Sequence, residues 1–442
     1  MTEQILQEQA PDAVVFPRSE HRISRADISD NALKVLYRLH NAGYEAYLVG
    51  GGVRDLSLGR EPKDFDVATS ARPEEVRGLF RNCRLIGRRF RLAHVHFGPE
   101  IIEVATFRAA HDFDGAGQED AQLRDGMLVR DNVYGTVGED ALRRDFTINS
   151  LYYNIADFSV VDFANGMDDL EAGVVRLIGD PDARFREDPV RMLRAVRFAA
   201  KLGFRVDEEA GKRIPEMAPL LEHVPQARLF DEVLKLFMGG QGAQTFEMLR
   251  KYRLFGALFP GTDTEIEEEG HGTWVQFLNA ALDNTDRRIA DGKPVTPAFL
   301  FAALLWPVVR RRTSFHLEQG LTEAQGLQLA VADAIEEQLQ RVSVPKRFSL
   351  PMREMFALQP RLERNRGRRA GRLVTHPRFR AAYDFLLLRA VVGDAEQELA
   401  DWWTRYQEGE GRQPEVADSE PARRPRRRRR RGPRRGGDEG GA

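Results

Sequence analysis

Cysteine is nearly absent from this 442-residue sequence. The one residue, Cys83, excludes an internal disulfide framework and a cysteine-rich zinc site, and it fits a reducing compartment. Long apolar runs are missing too. The longest, Pro297 to Val309, falls short of the roughly 20 residues of a membrane span, so a buried helix is expected there and no membrane partner. The opening MTEQILQEQAPDAVV has no basic stretch leading into an apolar one, so no secretory signal is expected and the expected location is the cytoplasm. What the chain has is charge, 30% of its residues, in an uneven arrangement. The formal net charge is −2, but residues 422–442 hold ten arginines against Asp438 and Glu439. The last 21 residues therefore carry +8 and the preceding 421 carry −10, an acidic body with a polycationic tail.

Periodicity divides the chain. Residues 1–25 lack a sustained apolar period and are expected to be a mobile leader. Ala32, Val35, Leu36 and Leu39 recur at helical spacing, which predicts a helix ending at Gly43. An apolar strand from Glu45 to Val49 follows, then three glycines and a short helix from near Val53. Further strands are expected at Phe65 to Ala68, Leu92 to Phe97 and Ile101 to Phe107, with a helix at Pro73 to Phe80. Residues 111–140 read as a long loop, and beyond Arg143 strand signals nearly vanish in favour of amphipathic helices. The expected class is α+β. An N-terminal mixed α/β domain occupies 26–172, followed by a helical neck at 173–250, a helical body at 251–408 and a disordered Arg-rich tail at 409–442.

Two features of the first domain point to phosphate chemistry. Asp64 and Asp66 flank Phe65, and in a strand a spacing of two puts both carboxylates on one face, where they can hold divalent metal. Alone, Asp-x-Asp is most often a solvated turn. Upstream, Gly50 and Gly51 precede a helix, so amides without a Cβ in the way can approach a triphosphate, with Arg54 adding positive charge. A tight strand-to-helix turn is the bland alternative. Together, GGGVRDLSLGREPKDFDVAT sets a phosphate cradle just before a metal-binding pair and is far more specific than either part. The histidines add no metal site by spacing: His94 and His96 share a strand face but lack further ligands, and His111–Asp112 has no partner histidines.

The GGGVRD and DFD elements resemble the first motif of the class II nucleotidyltransferases, in the DNA polymerase beta superfamily, whose members include bacterial poly(A) polymerases and CCA-adding enzymes. The likeness continues through RRDFTINSLYYN (143–154) and REDPVRMLRAVRF (186–198). It implies a DNA polymerase beta-like catalytic domain in which Asp64 and Asp66 bind Mg²⁺, or Mn²⁺, and Asp145 joins them in catalysis. Arg143 or Arg144 would approach the triphosphate, with Asn149 on the face of Asp145, and Glu103 is a further candidate for the acidic cluster. The resemblance gives Asp188 and Arg191, with Arg194 one turn on, the reading of the base. Donor and acceptor counting agrees with that role: a carboxylate only accepts and a guanidinium only donates, which suits the edges of adenine and cytosine and rejects those of uracil and guanine.

The segment LIGRRFRLAHV (85–95), with Arg88, Arg89, Arg91 and His94, resembles one that marks the poly(A) polymerases of this family, as does the arginine tail. The resemblance thus implies template-independent transfer of AMP from ATP to RNA 3′ ends in mRNA processing and decay. Arg426, Arg427, Arg428, Arg429, Arg430 and Arg431 would hold RNA by its backbone without reading bases. A CCA-adding tRNA nucleotidyltransferase is the close alternative. A noncatalytic RNA-binding protein is the distant one, and it would need neither the acidic pair nor the glycine turn.

Overall fold

The computed structural model describes residues 13–87, 91–109, 121–124, 127–131, 133–364 and 370–409. Ser29 starts the first helix by accepting a hydrogen bond from the Asn31 amide, and α1 (Asp30–Asn41) buries Ala32, Val35, Leu36 and Leu39 as one stripe. That stripe packs on strands β2 (Ala46–Val49) and β3 (Asp66–Thr69), which α2 (Gly51–Ser57) connects. The chain then runs through α3 (Pro73–Leu79), β4 (Cys83–Ile86), β5 (Leu92–Phe97) and β6 (Glu100–Thr106).

With β1 (Val14–Phe16), β9 (Leu151–Asn154) and β10 (Val160–Asp162) these strands make one eight-stranded sheet, in the order β1-β10-β9-β2-β3-β6-β5-β4. All its neighbours are antiparallel except β3 and β6. One face, carrying Leu48, Val67, Ala93, Val95, Ile102 and Val104, belongs to the main core. On the other, Tyr47, Val49, Ala68, Phe107, Tyr152 and Val161 pack with Ala141 of α4 (Val137–Leu142) into a smaller cluster.

Several sequence expectations are corrected here. Val14–Phe16 fall inside the expected mobile leader, yet they pair with Val160–Asp162 as an edge strand. The expected long loop at 111–140 contains the hairpin β7 (Ala121–Arg124) and β8 (Met127–Asp131) and the start of α4. Two strands of the main sheet follow Arg143. Most of β9 and all of β10 are buried, so no polar alternation betrays them. The helix after the glycines begins at Gly51 rather than near Val53, and Asp64 lies outside the strand that Asp66 opens.

After β10 come α5 (Gly166–Ala172), α6 (Pro181–Glu187), α7 (Val190–Leu202), α8 (Glu208–Met217) and α9 (Gln226–Phe237), with one small two-stranded sheet between Val174–Val175 and Arg205–Val206. From Gly242 to Glu408 the described elements are all helical. Stacked and edge-on rings, among them Phe230, Phe259, Phe301 and Phe385, fill that core, each burial worth roughly 1.5–3 kcal/mol. The apolar run at Pro297 is the first half of the helix Pro297–Glu318 and is buried, as expected. Among the described residues no helix is long and apolar enough to cross a membrane.

Candidate active site

Register builds the site. The parallel pairing of β3 with β6 sets Asp66 beside Glu103, and the antiparallel pairings extend that row to Val49 and Tyr152 on one side and His94 on the other. Residues in register share a face, so Asp66, Glu103 and His94 project together, next to the smaller apolar cluster. His94 Nε2 lies 3.2 Å from a Glu103 carboxylate oxygen. Asp64 is exposed just before the strand. Burial pushes the Asp66 carboxyl up to about 6, with the charges of Glu103 and Asp64 adding to that and Arg144 opposing it. Among the described residues no three His, Cys, Asp or Glu side chains converge for a metal ion as they stand.

The glycine turn lies at the end of β2. Gly50 has φ +68° and ψ −134°, a conformation open to glycine and strained for any other residue. A Cβ there would come within 3.3 Å of an Arg144 guanidinium nitrogen, and one at Gly51 within 3.5 Å of Arg54. Two guanidiniums therefore flank the turn. Arg54 is buried and committed to Asp55 (2.7 and 2.8 Å) and to the Asn149 side-chain oxygen (2.7 Å). Arg144 donates to the Tyr152 hydroxyl (2.7 Å), the Asn149 carbonyl (3.3 Å) and Asp140 (3.2 Å), while Tyr152 donates to the same Asp140 (2.6 Å).

Asp145 stands just before a single 3-10 turn, Thr147–Asn149, against which Gly166 at the start of α5 packs. A Cβ at Gly166 would meet the Thr147 carbonyl oxygen at 2.3 Å, so only glycine admits this approach. The turn still brings Asn149 round to Asp145, to which it donates at 3.3 Å. Arg184 of α6 fixes the preceding backbone by donating to the carbonyls of Arg143 and Arg144.

Helices α6 and α7 present the other expected residues. Asp188 ends α6 and accepts from the Val190 amide at the head of α7 (3.3 Å) and from Arg228 of α9 (2.7 Å). Burial pushes its carboxyl up, but the Arg228 hydrogen bond and charge, with Arg191 and Arg194 behind, outweigh this and hold it below the usual range. Arg191 donates to Glu187 and to the Arg184 carbonyl, both at 2.8 Å. Arg194 reaches Asp145 at 3.4 Å, joining α7 to the turn that carries Asp145. From the far end, Lys201 meets Asp55 (3.4 Å) and Arg60 donates to the Lys201 and Leu202 carbonyls, which holds α7 against α2.

The structure thus gathers Gly50, Gly51, Arg54, Asp64, Asp66, Glu103, Arg143, Asp145, Asn149, Asp188, Arg191 and Arg194 around the end of the sheet and the start of α7. Sequence reasoning missed Arg228 and Glu232 on α9 and the Asp140–Tyr152 brace. Arg91 pairs with Glu74 at 2.5 Å. Arg88, Arg89, the His111–Asp112 pair and Arg426–Arg431 lie outside the described residues.

Three family models match the chain. They are described as the poly A polymerase head domain (residues 46–176), the probable RNA and SrmB-binding site of polymerase A (203–266) and the polymerase A arginine-rich C-terminus (319–436). Poly(A) polymerase I of Escherichia coli O6:H1 is 54% identical over 401 residues, which span 90% of this chain and 86% of that protein. The CCA-adding enzyme of Lactobacillus helveticus is 39% identical over 222 residues, 50% of this chain and 53% of that one. Among solved structures, the Bacillus stearothermophilus CCA-adding enzyme in complex with CTP superposes with a TM-score of 0.58 at 25% identity, covering 85% of this chain and 80% of its own.

Proposed function

This chain belongs to the poly(A) polymerase family of nucleotidyltransferases, and from that premise we propose how its residues divide the work of adding adenylate to RNA 3′ ends. The reaction is template-independent: AMP passes from ATP to a terminal 3′-hydroxyl and pyrophosphate leaves. The turn at Gly50 and Gly51 receives the triphosphate between the guanidiniums of Arg144 and Arg54, and Arg143, next to Arg144 in the chain, adds to the positive charge of this segment. Asp64 and Asp66, with Glu103 next to Asp66, suit Mg²⁺ or Mn²⁺. One or two carboxylates completed by substrate phosphates and water are the usual hard-oxygen set for Mg²⁺, and the upward pressure on the Asp66 carboxyl, from burial first and then from the charges of Glu103 and Asp64, is one that a divalent cation relieves. Bound there, the ion supplies a lowered pKa for the attacking hydroxyl and charge neutralisation at the leaving oxygen.

Asp145, steadied by Asn149, faces the ribose, and Asp188 and Arg191 meet the base edge, with Arg194 between ribose and base. Because Arg228 keeps Asp188 ionised, it acts only as an acceptor, which favours the amino-bearing edges of adenine and cytosine. The choice of ATP over CTP is supported by extent of likeness. The poly(A) polymerase match spans 90% of the chain and the CCA-adding match 50%. We assign catalysis to 26–172, nucleotide and RNA contacts to 173–250, RNA binding to 251–408 and backbone capture to the tail 409–442. The protein would act in the cytoplasm on mRNA undergoing processing and decay.

The observation that carries this reading is the register of β3 and β6, which sets two carboxylates side by side next to the glycine turn. Asp64→Asn and Asp66→Asn are each expected to abolish incorporation while the thermal unfolding midpoint stays level or, for Asp66, rises. Retained activity in both variants defeats the assignment. Primer extension with single nucleotides, on unstructured RNA and on tRNA lacking its terminal CCA, tests the substrate. A long ladder with ATP alone is expected. Addition of CTP followed by ATP that stops after three residues, on tRNA only, would point to the CCA-adding reaction instead.

A further inference from the structure

Helix α9 lies along α7 and carries Arg228, then one turn later Glu232, then Lys235. Arg228 pairs with Asp188 at 2.7 Å. Glu232 is 3% exposed. One of its oxygens takes Lys235 at 2.9 Å and stands 4.0 Å from Arg194, while the other, Oε2, is buried without a hydrogen-bond partner among the described residues. A buried carboxylate left half satisfied costs stability, so its retention calls for a use.

Arg194 provides one. Its guanidinium has a carboxylate at either end, Asp145 at 3.4 Å and Glu232 at 4.0 Å, and neither distance reaches the roughly 2.7–2.9 Å of a full charge-assisted bond. The guanidinium is shared between two anions. Without Glu232, Asp145 is the carboxylate left within 4.0 Å of the guanidinium among the described residues.

We propose that Glu232 is a positioning residue for nucleotide binding, which draws Arg194 off Asp145 so that the Asp145 carboxylate stays open to the ribose and Arg194 faces the incoming base. The inference rests on the reading of Arg194 and Asp145 as nucleotide contacts. It adds a residue from a separate helix, about 40 positions after the base-reading motif, that acts on ATP only through another side chain.

Steady-state kinetics with ATP and an oligoadenylate primer test it in the full chain, comparing Glu232→Gln, Arg194→Ala and the double variant. Glu232→Gln is expected to raise the KM for ATP on the order of tenfold while kcat changes less than about twofold, and to add nothing in the Arg194→Ala background. Additive effects in the double variant, or an unchanged KM in folded Glu232→Gln, overturn the proposal. If Arg194→Ala itself leaves the KM for ATP unchanged, the failure belongs to the reading of the site instead. Lys235→Met provides a check that does not disturb the buried residue, since Lys235 is half exposed. It frees the bonded oxygen of Glu232 for Arg194 and is expected to lower the KM for ATP. Should Glu232→Gln fail to fold, no change in Lys235→Met overturns the proposal alone.

Discussion

A methyl group at Gly50 is penalised twice. The backbone at φ +68° and ψ −134° is strained for any residue with a Cβ, at about 1–3 kcal/mol, and that Cβ would lie 3.3 Å from the Arg144 guanidinium. Gly50→Ala is therefore expected to lower stability by about that amount and, because the guanidinium has to give way, to raise the KM for ATP as well. Thermal unfolding beside ATP kinetics separates the two, and a KM that does not move would deny the turn its part in holding phosphate. Gly50, Asp66, Asp145 and Asp188 were legible in the sequence because each sits in a short contiguous motif. Arg54 was legible as a charge but not as a brace: its guanidinium also holds Asp55 and Asn149, and a partner 95 positions away leaves no local trace. Arg228 and Glu232 were hidden for a related reason. On a helix whose apolar stripe is Leu229, Val233 and Leu236, they read as two more polar surface positions.

At the scale of elements, what periodicity could reveal it did reveal. The stripe of α1, the strands β5 and β6, and the apolar half of Pro297–Glu318 all bury the residues their spacing marked. Periodicity failed for β1, β9 and β10, which are three or four residues long. Two of these are buried on almost every residue, so there is no alternation to detect, and β1 owes its conformation to a partner far along the chain. The segment after β1 is anchored by His21. Its ring donates Nε2–H to the Phe158 carbonyl at 2.9 Å, which leaves Nδ1 buried without a partner among the described residues. Protonation would put a charge on Nδ1 in that place. Burial accordingly lowers the His21 pKa from 6.5, the Phe158 bond opposes this in part, and Arg18 adds to the lowering. The unfolded chain therefore binds the proton more readily than the native one. The anchoring contribution is complete above pH 6.5 and is progressively lost as pH falls below it, toward the lower native pKa. Urea unfolding from pH 5 to 8 is expected to show a steeper acid-side decline for the parent protein than for His21→Gln. Matching slopes would show that His21 does not contribute to the acid sensitivity.

Over the whole molecule, charge is the largest-scale pattern, with −10 on residues 1–421 and +8 on residues 422–442. An acidic body gains little non-specific attraction for RNA, so the tail should carry most of the salt-dependent affinity. Removing residues 410–442 is expected to weaken RNA binding, to flatten its dependence on log salt by about 0.7 for each phosphate that the tail no longer neutralises, and to leave kcat at saturating primer largely intact. A salt slope that survives the deletion would move the phosphate-binding groups onto the folded body. The sheet has a consequence of a different kind. Val14 pairs with Asp162, so the strand that comes first in this sheet along the chain has its place beside one that follows it by nearly 150 residues, with the rest of the sheet's strands made in between. During synthesis β1 leaves the ribosome before the other strands of its sheet and has no partner until residue 162 has followed it out. An apolar edge segment must stay unpaired while the sheet and its acidic row take shape, and its docking is a closing event of that half of the molecule.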